Sequence, residues 1–94
     1  KGGVVAQLSL SNEKVALNNF KLIPNPTSDI FVIEFNNPIE TAKLNVFDVM
    51  GKLVYEDQIN SKSKVISTNL WPSGFYIVKV EASTYSHIKR LVKN

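Results

Sequence analysis

Few side chains in this sequence have types and spacing suited to chemistry. His87 is the single histidine, with Ser86 beside it and Ser83 near, the residue types of a nucleophile and its base. A serine nucleophile also needs a third group to orient the base, and donors for the oxyanion, all on a rigid scaffold. His87 instead lies in a strand-like stretch between Ser86 and Ile88, which favours an ordinary surface or edge-strand histidine. One histidine and no cysteine leave only carboxylates to complete a metal site.

The acids are densest at Asp48, Glu56 and Asp57. Glycoside chemistry sets two carboxyl groups roughly 5–10 Å apart across a cleft, and a two-stranded turn makes no cleft. Asp48 stands just before Met50-Gly51-Lys52, where its carboxylate can accept backbone N–H bonds and close the turn. Calcium takes about six to eight oxygens. Asp29, Asp48 and Asp57 with backbone carbonyls are its candidates, and none sits in a dedicated acidic loop. Trp71, before Pro72, suits a plug at one end of a sandwich or, beside a coplanar Tyr55 or Tyr85, a platform for carbohydrate. Gly2, Gly3, Gly51 and Gly74 lack the spacing of a phosphate loop, and Asn25-Pro26-Thr27 is no glycosylation acceptor because its middle residue is proline. The sequence therefore points to no catalytic residue, no metal and no cofactor.

The elements that would position these residues are strands. At 94 residues the chain holds one domain, and 44% hydrophobic content argues for a packed core over disorder. A net charge of +3 is too small for a nucleic-acid surface. No stretch approaches the roughly 18 apolar residues of a membrane span. Alternation predicts strands at Phe20 to Ile23, Ile30 to Phe35, Ala42 to Val49, Leu53 to Gln58, Val65 to Thr68, Phe75 to Ala82 and Tyr85 to Val92. Val4 to Leu10 and Val15 to Leu17 can also pair. Gly51 caps a hairpin, Pro72-Ser73-Gly74 and Ser83-Thr84 are turns, and Leu70 and Trp71 tuck beneath their connection. Pro24-Asn25-Pro26 cannot join a ladder and reads as a stiff corner, with Asn25 bonding local backbone. No helical period runs over 11 or more residues. The pattern is all-β, a sandwich of mostly antiparallel strands. The last ten residues carry Lys89, Arg90 and Lys93 and no acid, as an edge strand guarded against aggregation does.

Four blocks in order carry a resemblance. Leu22 to Asp29, with its Pro-Asn-Pro, resembles the opening of the type IX (Por) secretion C-terminal sorting domain. Leu44 to Tyr55 resembles that family's central hairpin, Leu70 to Val80 its leucine, glycine and tyrosine strand, and Lys89 to Lys93 its basic-apolar terminus. Ile23 replaces a frequent aromatic, and Asp29 stands where glycine is common.

The resemblance covers Phe20 to Asn94. It implies an immunoglobulin-like sandwich of about seven strands, with residues 20–94 as the sorting domain and 1–19 as linker or first strand region. It implies a non-catalytic signal on the C-terminus of a larger secreted Bacteroidota-type cargo. That cargo passes through the periplasm and is exported or displayed by the outer-membrane type IX translocon and its processing machinery. Pro24, Asn25, Pro26, Gly51, Gly74, Lys89, Arg90 and Lys93 are the residues expected to be recognised. A carbohydrate-binding module and a structural immunoglobulin-like spacer are the competing readings.

Overall fold

Period-two alternation decides which side chains the strands bury. The computed structural model describes residues 20–36, 41–83 and 85–94. The expected strands Val4 to Leu10 and Val15 to Leu17, and Thr84 of the expected turn, lie outside them. Seven strands follow in order: β1 (Phe20–Ile23), β2 (Ile30–Phe35), β3 (Ala42–Asp48), β4 (Leu53–Ile59), β5 (Ser63–Ser67), β6 (Gly74–Glu81) and β7 (Ser86–Lys93). They form a three-stranded sheet, β1-β2-β5, and a four-stranded sheet, β4-β3-β6-β7. Every strand pairing is antiparallel.

The two inner faces make one core. Phe31, Ile33 and Phe35 of β2 are buried together, with Phe20 and Leu22 of β1 and Ile66 of β5 on the same sheet. Leu44 and Val46 of β3, Tyr76, Val78 and Val80 of β6, and Leu91 of β7 meet them from the larger sheet. Phe20 and Phe35, opposite each other in the ladder, add a tilted ring pair 5.6 Å apart.

The strand ends differ from expectation by one or two residues, for identifiable reasons. β3 stops at Asp48 because that residue opens the turn. β5 stops at Ser67 because Thr68 leaves the ladder to bond the loop before β2: its N–H donates to Asp29 O (2.7 Å) and its buried hydroxyl to Ser28 O (3.2 Å). β7 runs on to Lys93 because Gly74 gives it a partner there. Leu70 does not tuck under the connection as expected. It is 95% exposed, and Trp71 alone turns inward.

An ion pair between β4 and β5 is among the polar contacts that tie the sheets together. Asp57 of β4 accepts from Lys64 Nζ of β5 (3.1 Å), from the Tyr55 hydroxyl (3.0 Å) and from the Gln58 N–H (2.8 Å). The backbone N–H first, then Lys64 and Tyr55, hold the Asp57 carboxyl below its usual range. The native chain therefore binds fewer protons at this site than the unfolded chain. The stabilisation is complete above the ordinary carboxylate pKa and is lost as pH falls through the depressed value. Asp57→Asn is expected to lower the urea midpoint at pH 7, with the gap to wild type closing as pH falls below the ordinary carboxylate range. A gap independent of pH would contradict this.

Candidate functional site

Register places the interesting residues at two opposite poles. β1 and β5 end, and β2 begins, beside the Pro24–Pro26 corner. β3 ends, β4 and β6 begin, and β7 ends at that same pole, because Asp48 pairs with Tyr76 and Gly74 with Lys93. This distal pole therefore gathers Pro24, Asn25, Pro26, Gly51, Gly74 and Lys93. Phe20, where the chain enters the described structure, lies at the proximal pole with the start of β7.

The corner is stitched to β7 and does not stand alone. Both its proline bonds, Ile23–Pro24 and Asn25–Pro26, are cis. Asn25 was expected to bond locally. Its amide instead reaches the last strand, donating from Nδ2 to Arg90 O (2.9 Å) and accepting at Oδ1 from Val92 N–H (2.9 Å). A carboxamide carries one donor side and one acceptor side, so Asn25 reproduces what a neighbouring strand would offer. Thr27 continues the pattern: its N–H donates to Val92 O and its carbonyl accepts from Asn94 N–H, both at 2.8 Å, in a parallel bridge to Lys93. The buried Thr27 hydroxyl donates to Ile30 O. Lys93 Nζ closes the clasp on Ser28 O (2.6 Å).

The hairpin tip is held by Asp48, as its position before Gly51 suggested. Asp48 Oδ1 accepts from Met50 N–H (2.9 Å) and Lys52 N–H (3.0 Å). Gly51 has φ +84° and Gly74 φ +147°, backbone that favours glycine. An added Cβ at either position meets nothing within 4 Å, so backbone conformation is what selects glycine at both.

Between tip and clasp the surface is apolar. A cleft of about 340 Å³ runs past Val49, Val54, Pro72 and Phe75. Val49, Met50, Leu53, Leu70 and Phe75 are exposed. Trp71 plugs the sandwich beneath them, its ring 5.1 Å from Tyr76, 6.1 Å from Tyr55 and 6.2 Å from Phe31. Tyr76 donates its hydroxyl to Pro72 O (2.5 Å), and burial raises its pKa.

The three terminal cations do not form one patch. Neighbours in a strand face opposite ways. Lys89 lies over the Phe20 ring (5.8 Å), and Arg90 on the other face over Phe75 (5.6 Å). The ion pairs recorded among the described residues, Lys43–Glu56, Lys64–Asp57 and Lys79–Glu81, involve none of the three.

The chemical candidates are dispersed. His87 Nε2 is buried without a hydrogen-bond partner, its ring 5.4 Å from Tyr85, whose hydroxyl is likewise buried, unpartnered and raised in pKa by burial. Among the described residues no three His, Asp or Glu side chains come together as metal ligands. Trp71 and Tyr55 are inclined at 48°, not coplanar, and Tyr85 lies at the opposite pole. Among the described residues Trp71, Tyr55 and Tyr85 form no flat aromatic platform.

Comparison with known proteins completes the site. The secretion system C-terminal sorting domain family matches residues 21–94. The chain belongs to this family. The sorting domain is the non-catalytic signal of the type IX secretion route, whose proteins pass through the periplasm to the cell surface or beyond. The chain is 35% identical over 77 residues to an ulvan lyase of Nonlabens ulvanivorans, covering 81% of this chain and 14% of the lyase. It is 24% identical over 96 residues to an endo-acting ulvan lyase of Formosa agariphila, covering 99% of this chain and 18% of that one. The sorting domain thus spans less than a fifth of either relative. In fold it resembles a DUF3244 family protein of Bacteroides vulgatus with an immunoglobulin-like β-sandwich (TM-score 0.69, 16% identity, 82% of this chain and 85% of that). It also resembles part of PorZ, a surface component of the type IX system of Porphyromonas gingivalis (TM-score 0.65, 20% identity, 84% of this chain and 12% of that).

The clasp was missed on sequence because its bonds join residues 65 and 67 positions apart. The splitting of Lys89 from Arg90 was available from strand alternation.

Proposed function

We propose that residues 20–94 are the C-terminal address of a longer secreted cargo, read by the type IX outer-membrane translocon at the distal pole, with residues 1–19 as linker or first strand region. The observation that carries this reading is the polarity of the sandwich. Phe20, the first described residue, lies at one pole, and the corner, the glycine turns and the end of β7 collect on the other. A translocon can grip that end, and the outer edge of β7 that leads to it, while cargo hangs from Phe20 at the opposite end. The small share of each lyase that the chain spans supports a cargo ahead of it.

Pro24, Asn25 and Pro26 shape the recognised surface, and Gly51 and Gly74 hold its turns. Lys89, Arg90 and Lys93 supply cations with no carboxylate partner among the described residues. Replacing all three by Gln, in the chain fused behind a signal-bearing reporter, is expected to cut export about tenfold, the equivalent of losing about 1.4 kcal/mol of binding. Thermal unfolding of the purified variant checks that it still folds. A folded triple variant exported at the wild-type level would refute the role of the cations.

A further inference from the structure

Among the described residues β7 is an edge strand whose outer edge is only half used. Arg90 C=O, Val92 N–H, Val92 C=O and Asn94 N–H all bond to the corner. Odd-numbered residues face β6 instead, as the bond from Ala82 N–H to Tyr85 O shows at the other end. Alternation then turns Ile88 N–H, Ile88 C=O and Arg90 N–H outward, in line with the bonds the corner makes. These three groups meet no partner among the described residues. Ile88 beside them is 62% exposed, and no proline or bulge guards the stretch. An edge left in this state is a template for another strand.

The corner shows what the edge accepts, since Asn25 and Thr27 already serve it as an extended segment would. Charge selects the occupant. Tyr85 to Asn94 holds Lys89, Arg90 and Lys93 and no acid. A second copy pairing edge to edge would bring two such cationic strands together, and like charges facing across a ladder destabilise it. A strand carrying carboxylates is complementary. We infer that Ser86 to Arg90 accept an extended, carboxylate-bearing segment of the translocon by strand addition, lying end to end with the corner along β7. The choice of partner rests on the sorting role proposed above; the open edge does not.

Hydrogen exchange of the 94-residue chain, with and without purified outer-membrane translocon, reads the edge directly. Added translocon is expected to slow exchange at Ile88 and Arg90 at least about tenfold and to leave Lys89 and Leu91, already paired with β6, unchanged. No protection at Ile88 and Arg90 overturns the inference. Protection that rises with chain concentration in the absence of translocon overturns it in favour of self-pairing. In cells, Ile88→Pro removes the outward N–H without touching a β6 bond, a place where an edge strand admits proline. Its reporter export is expected to fall about tenfold, against no change for Ile88→Val. Translocon-dependent export of wild type and Ile88→Pro alike overturns strand addition while leaving the sorting role standing. A wild-type fusion that is not exported counts against the sorting role, and the exchange pattern still decides the edge.

Discussion

Phe31→Ala is expected to remove a large share of the stability of the sandwich. Phe31 is fully buried on β2, its ring edge-on to Trp71 at 6.2 Å, so truncation opens a cavity between the two sheets. Phe-to-Ala changes in packed cores cost about 3–5 kcal/mol, and a domain of this size has about 5–15 kcal/mol in total. Guanidinium unfolding followed by Trp71, the single tryptophan, measures it. Leu70→Ala is the matched control. Leu70 is 95% exposed, and its loss is expected to stay within about 0.5 kcal/mol. If the two variants were equally stable, the placement of the core would be wrong.

Asn25→Ala is expected to cost about 2 kcal/mol, from two hydrogen bonds at about 1 kcal/mol each. For a domain of this length that is a fall of about 8–16 °C in Tm. The effect is also local: Val92 N–H, which donates to Asn25 Oδ1, is expected to exchange much faster in the variant, while Leu91, bonded to β6, is not. Asn25→Asp keeps the acceptor and loses the donor, and sets a carboxylate against Arg90 O, so it is expected to do no better than Ala. If Asn25 bonded only its own corner, the Val92 amide would be indifferent to both changes.

How much of this was legible on sequence depends on the range of the interaction. β2 matched its expected bounds because the apolar run Ile30 to Phe35 is bracketed in sequence by Thr27-Ser28-Asp29 and Asn36-Asn37-Pro38. The Asp48 turn was legible for the same reason, since carboxylate, Gly51 and Lys52 all lie within four residues. Nothing near Asn25 marks β7 as its partner, because side-chain bonds across a fold leave no periodic trace in the chain. Leu70 was misplaced for a related reason. The apolar pair Leu70-Trp71 does not reveal which member turns inward, and Trp71 wins by filling the space among Phe31, Tyr55 and Tyr76. Of the expected recognition residues, alternation separates Lys89 from Arg90, and only the tertiary structure brings Asn25, Gly51, Gly74 and Lys93 to one pole.

The most direct test of the sorting role is export itself. The 94-residue chain is fused behind a signal-bearing reporter in a type IX-competent bacterium, and reporter outside the cell is compared with that from a translocon-deficient strain. Reporter outside the competent strain and retained in the periplasm of the deficient one is the predicted result. An intact, folded fusion held in the periplasm of both would contradict it.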